Sequence, residues 1–280
     1  MPVRWHLQTP YSRPILLPLT LILELAALGL CTGFLAGLLG LGGGMLMVPV
    51  LTFILNARGF PEAYTVKMAV ATSLAAICFS SLSSVRAHHR RGAVLWPVAR
   101  VLAPGILVGS LLGSQIAVAI PARLLGLLFA LFVTFSATQM LLNRKPGPSR
   151  GLPGNAVMFG VGNAIGMLSS MVGAGGAFVS VPFMTWCNVP IHKAVATSSA
   201  LGFPIALAGT TGYLVAGLNL PTMPHGAIGY VYWPALLVLS IVSMVVAPIG
   251  ARLAHSMDIG PLRKAFALLL YGIAAYFVLR

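Results

Sequence analysis

Gly33-Phe34-Leu35-Ala36-Gly37-Leu38-Leu39-Gly40-Leu41-Gly42-Gly43-Gly44-Met45-Leu46-Met47-Val48-Pro49 is an apolar run broken in its middle by adjacent glycines. The stretch Gly166-Met167-Leu168-Ser169-Ser170-Met171-Val172-Gly173-Ala174-Gly175-Gly176-Ala177-Phe178-Val179-Ser180-Val181-Pro182 repeats it 133 residues later, with Pro182 falling on Pro49. Both obey the pattern G-x6-G-x-G-G-x4-V-P. Adjacent glycines accept φ > 0 and leave the backbone unwound. In hydrocarbon that is tolerated only where the freed amides face protein or a water-filled cavity. A full apolar segment followed by a short, glycine-interrupted partner, found twice, predicts a discontinuous or re-entrant helix at a transporter's binding site.

The repeat extends outward from the glycine boxes. Ala69-Val70-Ala71-Thr72-Ser73 recurs letter for letter as Ala194-Val195-Ala196-Thr197-Ser198, with Lys67 and Lys193 just ahead. Trp96-Pro97 matches Trp233-Pro234, and at that offset Gly113 meets Gly250 and Phe129-Ala130 meets Phe266-Ala267. The separation changes from 133 to 125 to 137 only in the joints at about 50–68 and 217–232, where insertions are tolerated. An internal duplication follows, with repeats at 15–142 and 152–280 and a linker at 143–151.

Composition fixes the medium. Of 280 residues, 58% are hydrophobic and only 7% charged, where a soluble domain carries about a quarter charged; mean hydropathy is +0.96. The fold class is therefore an all-α polytopic membrane protein, with the lipid bilayer as its surroundings. At roughly 20 apolar residues per crossing, the chain leaves almost nothing outside the bilayer. Apolar segments lie near 15–39, 42–56, 66–85, 93–119, 122–142, 152–173, 176–187, 194–216, 228–253 and 261–279, and 42–56 and 176–187 are too short to cross comfortably. Arg4 and Arg13 ahead of Ile15 imitate a signal peptide, but the apolar run is too long and leads into further spans. A retained first helix is predicted.

The formal charge of +14 does not make this a nucleic-acid binder, because the cations are scattered between apolar runs as topology-setting loop charges. Arg86, Arg90 and Arg91 form one basic joint and Arg144, Lys145 and Arg150 another, both expected to be cytoplasmic. With a cytoplasmic N-terminal segment at 1–14, this requires one net crossing from each glycine-box pair. About eight transmembrane helices in two parallel halves result. If the short pieces cross fully, each half has five spans and the halves are inverted. Arg252, Arg263 and Lys264 fit the eight-span arrangement poorly.

The candidate substrate site combines backbone amides of Gly40, Gly42, Gly43, Gly44, Gly173, Gly175 and Gly176 with hydroxyls of Thr72, Ser73, Thr197, Ser198 and Ser199. Amides at the start of a half-helix present partial positive charge to an anion, and hydroxyls donate without adding charge. Ser80, Ser81, Thr210 and Thr211 continue the hydroxyl-bearing turns. Ser and Thr also cap helices and bond back to the backbone, and paired glycines such as Gly33/Gly37 and Gly109/Gly113 also serve close helix packing. Lys67 and Lys193 either line the substrate approach or anchor at headgroups. Glu24, an acid inside the first apolar run, is the candidate proton site. Cys31, Cys78 and Cys187 lie in apolar runs as small core residues, not a metal site. With 3 acids in the chain, neither a cation cage nor a two-carboxylate hydrolase can be built, and no GxSxG, HExxH or GxxxxGK[ST] occurs. No enzyme, cofactor or metal is expected.

The doubled glycine box, each copy followed by an Ala-rich helix opening with Thr-Ser, resembles the sulfite exporter TauE/SafE family over about 20–280. The second box departs from the first, with Ala177 in place of Gly44 and Ser170 in place of Gly37. The resemblance implies an inner-membrane permease, often an exporter, for small sulfur-containing anions such as sulfite and organosulfonates. The expectation is a secondary transporter that moves a small oxyanion by alternating access of its two repeats. An anion channel and a non-transporting assembly subunit are the alternatives, and homo-oligomerisation is left open.

Overall fold

The computed structural model describes residues 18–39, 43–142, 151–218, 220, 223–253 and 260–279. The expected roles of Gly40 and Gly42, the segments 1–14 and 143–150, and the side chain of Arg263 lie outside the described residues. The apolar segments become ten helices: α1 (Leu19–Leu39), α2 (Gly44–Ala57), α3 (Glu62–His89), α4 (Trp96–Ala119), α5 (Ala122–Leu142), α6 (Asn155–Val172), α7 (Ala177–Trp186), α8 (Ile191–Gly217), α9 (Trp233–Leu253) and α10 (Gly260–Leu279). Seven of these, α1, α3, α4, α5, α6, α8 and α9, are long and apolar enough to cross a membrane. A hairpin of β1 (Ala227–Ile228) and β2 (Val231–Tyr232) sits in the joint before α9.

The glycine boxes end α1 and α6 and start α2 and α7. Gly43, Gly173 and Gly176 are left-handed, with φ of 71°, 73° and 78°. Pro49 and Pro182 lie inside α2 and α7, and each helix runs on past its proline. The missing N–H costs one helical hydrogen bond without ending the segment.

Helices cross where small residues let backbones touch, the main packing device when lipid is as apolar as the core. Gly29, Gly33 and Gly37 of α1 lie successively against Val242, Ser243 and Ala247 of α9, and a methyl on Gly33 would meet Ser243 Cα at 2.6 Å. Gly105, Gly109 and Gly113 of α4 lie against Phe159, Asn163 and Met167 of α6 in the same manner. Large apolar side chains such as Leu23, Leu30, Leu131, Phe135 and Ile241 point outward. Cys31 is exposed, Cys78 partly buried and Cys187 buried, so Cys31 is not the core residue its apolar context suggested.

These contacts also fix directions. Ascending contacts make α1 parallel to α9 and α4 parallel to α6. Helix α3 runs parallel to α9, since Thr72 meets Tyr232, Ser83 bonds Met244 O and Arg91 bonds Ala251 O. Helix α8 runs parallel to α4, since Thr197 meets Leu95 and Gln115 bonds Gly212 O. The central pair α3 and α8 is antiparallel, with Gly202 against Ser81 and Gly209 against Leu74. So is α5 with α10, where Phe129 meets Phe277 and Thr138 meets Tyr271.

Helices α1, α3 and α9 therefore run one way and α4, α6 and α8 the other. The reason is α2. It begins with Gly43 packed on Thr32, midway along α1, and returns until Arg58 reaches Glu24 near the start of α1. The start of α1 and the end of α5 consequently lie at opposite ends of the bundle. This departs from the eight-span arrangement, which put them on one side. At the end where α3 closes lie Arg86, Arg90, Arg91, Arg100, Lys193, Arg252 and Lys264, and at the other lie Arg58, Lys67 and Arg123 with Glu24 and Glu62.

Candidate functional site

The two glycine boxes touch. Gly44, at the start of α2, packs directly on the carbonyl of Gly173, and a methyl there would also meet Ala174 Cα at 2.9 Å. Gly43 packs on the Thr32 carbonyl, and Gly176 lies against Ser169, Ile165 and Ile205. Neither α2 nor α7 has a side-chain cap at its N-terminus, so their first-turn amides keep the partial positive charge of a helix start.

Beside the second box a small cleft opens, lined by Ala36 of α1, Ser80, Ser81 and Ser84 of α3, Gly175, and Ser198, Ser199 and Gly202 of α8. Its volume is about 10 Å³, room for about one water. Among the described residues, no charged side chain lines it. Ser180 donates to Ser198 Oγ at 2.7 Å, anchoring that hydroxyl from α7. The hydroxyls of Ser80, Ser81 and Ser199 donate back to carbonyls of their own helices, at Ile77, Cys78 and Val195. Ser84 Oγ is buried without a hydrogen-bond partner among the described residues. A buried, unpaired hydroxyl carries a desolvation penalty of about 1–3 kcal/mol that a ligand oxygen removes.

Of the residues expected in the site, the structure thus gathers Gly175, Ser198 and Ser199. Thr72 and Thr197 lie elsewhere: each accepts a backbone N–H, from Tyr232 at 3.0 Å and from Leu95 at 2.9 Å. Ser73 is buried without a hydrogen-bond partner, away from the cleft lining. Lys67 donates to Val118 O at 2.7 Å, at the carbonyl end of α4, where a cation is favoured. Lys193 is at the opposite end of the bundle, because α3 and α8 are antiparallel, so the two lysines do not line one approach. Glu24 forms an ion pair with Arg58 at 3.2 Å, its side chain 48% exposed. Ala36, Gly202 and Ser84 were missed by the sequence reading. Ser84 was findable as the next hydroxyl after Ser80 and Ser81 on the α3 face.

A bundle of long apolar helices enclosing an uncharged, hydroxyl-lined cleft beside a broken helix is the architecture of a multi-pass membrane protein that handles a small solute. Comparison with known proteins agrees. The profile of the family "Sulfite exporter TauE/SafE" matches residues 25–277. A "Probable membrane transporter protein" of Haemophilus influenzae is 33% identical over 258 residues, covering 91% of this chain and 97% of the relative. Another of Methanocaldococcus jannaschii is 29% identical, covering 95% and 96%, and a third, YdhB of Bacillus subtilis, is 27% identical, covering 89% and 95%. The chain belongs to the sulfite exporter TauE/SafE family and is a membrane transporter of that type. No solved structure matches it.

Proposed function

We propose that this protein is a secondary transporter of a small sulfur-containing oxyanion, sulfite or an organosulfonate, working by alternating access. The observation that carries the proposal is the cleft in which Gly175, beside the uncapped start of α7, faces Ser198 and Ser199 across a wall of further serines. Amides and hydroxyls donate to an anion's oxygens, and a cation would find no carboxylate there.

Two halves of opposite orientation support the alternating-access reading. Helices α1 and α6 occupy equivalent places in the repeat yet run in opposite directions, as do α3 and α8. An inverted pair can exchange conformations and so open the same site to either side. With the end rich in Arg86, Arg90, Arg91, Lys193 and Arg252 cytoplasmic by the positive-inside rule, the start of α1 lies on the outer face of an inner membrane in this reading, the reverse of the cytoplasmic N-terminus expected from the sequence. Export of a monovalent anion then follows the potential, about 2.3 kcal/mol per charge at 100 mV, inside negative.

Thermal stabilisation of the purified protein by sulfite, thiosulfate and a sulfonate tests this. Stabilisation by at least one, and none by sodium or potassium at equal ionic strength, is expected. No response to any anion would overturn the proposal.

A further inference from the structure

The α3/α8 crossing has two unlike ends. Near the basic end it is polar: Ser80, Ser81 and Ser84 of α3 meet Ser199 and Gly202 of α8 around the cleft. Toward the far end the residues in equivalent places of the repeat are Ile205, Ala206 and Gly209 of α8 and Leu74 and Ile77 of α3. There Leu74 packs on Gly209 and Ile205 packs on Gly176, all of them buried or backbone-tight. Of the cleft's hydroxyls, Ser198 keeps a counterpart in Ser73, whereas Ser80, Ser81, Ser84 and Ser199 fall on Ile205, Ala206, Gly209 and Leu74.

We infer that each chain binds one anion, held by Ser81 and Ser84 of α3, residues outside the repeated Thr-Ser segments, while the equivalent place on the far side of the crossing has Leu74, Ile77 and Ile205 where the cleft has Ser199, Gly202 and Ser80. Ser84 Oγ is the independent pointer to a ligand. It is buried, lines the cleft and lacks a hydrogen-bond partner among the described residues. Ser81 faces it from within the same lining and can rotate its hydroxyl from the Cys78 carbonyl, 3.1 Å away, to an anion. Both sit about two turns or less from the basic end of α3, roughly 7–12 Å along its axis. Two serines and the adjacent helix start recognise a small oxyanion by its oxygens alone. Ser81 and Ser84 come from the first repeat and Gly175, Ser198 and Ser199 from the second, so the two repeats share one site that loads once per transport cycle.

This inference rests on the cleft being an oxyanion site. The test is equilibrium binding of radiolabelled sulfite and thiosulfate to the full-length protein in detergent, with uptake into liposomes measured in parallel. Expected are one anion per chain and at least tenfold weaker binding for the Ser81→Ala/Ser84→Ala variant. Ser84→Cys, which keeps the size and weakens the donor, should weaken binding in the same direction, and Ser136→Ala in α5 should not change it. Two anions per chain, or unaltered affinity in both Ser84 variants while the wild type still transports, would overturn the inference and leave the transporter reading intact. A wild type that neither binds nor transports any of these anions would overturn both.

Discussion

The hydroxyl of Thr72 accepts the backbone N–H of Tyr232 at 3.0 Å across 160 residues of chain. Its counterpart Thr197 accepts the N–H of Leu95 at 2.9 Å. Tyr232 and Leu95 each precede a Trp-Pro pair that opens a long helix, α9 and α4 respectively. The first residues of a helix have N–H groups with no intrahelical acceptor, and here a threonine from a central helix reaches across to the donor just ahead of each Trp. The Thr of the repeated segment is thus a latch between the central helices and the outer ones.

Removing a latch strands a buried N–H. Thr72→Val and Thr197→Val should each destabilise the protein by about 1–3 kcal/mol, seen as a lowered melting temperature in detergent, and Thr72→Ser should retain most of the stability. If Thr72→Val melted like the wild type, the hydrogen bond would have no structural weight.

The contact between the glycine boxes allows no side chain. Gly44→Ala should sharply reduce the folded fraction recovered by size exclusion, because the new methyl falls on the Gly173 carbonyl. Gly160→Ala in α6, with open space around it, should be recovered normally. Equal recovery of both would show that α2 can shift freely.

Glu24 and Arg58 form a partly exposed pair, a class worth roughly 0–1 kcal/mol. Glu24→Gln should therefore leave stability nearly unchanged and leave the pH dependence of transport where it was. A displaced pH profile would restore Glu24 as a proton site.

The helix directions predict a topology. A cysteine introduced near Arg90 and one introduced next to Gly59 should label from opposite faces of the membrane, the former from the cytoplasm. Labelling of both from one side would contradict the directions.

Much of this was legible in the sequence. All ten apolar segments became helices, and the broken elements fall at the glycine boxes. Gly33, Gly37, Gly109 and Gly113 pack helices closely, as paired small residues do. The span count was not legible, because hydropathy measures length and not the return of α2 from beside Thr32 to Glu24. Arg252 and Lys264, which fitted the eight-span arrangement poorly, join Arg86, Arg90 and Arg91 at one end once α9 is seen to parallel α3. The site was half legible. Gly175, Ser198 and Ser199 meet, but the hydroxyl of Thr72 was already engaged by a backbone donor far along the chain. Ser84 escaped because it has no hydroxyl counterpart in the repeat.

Counterflow of radiolabelled sulfite or thiosulfate into liposomes carrying the purified protein tests the central claim most directly. A carrier predicts saturable uptake that is accelerated by unlabelled anion on the opposite side. Flux that rises linearly with concentration and ignores the anion inside would mean a channel, and absence of flux for every small sulfur oxyanion would contradict the account.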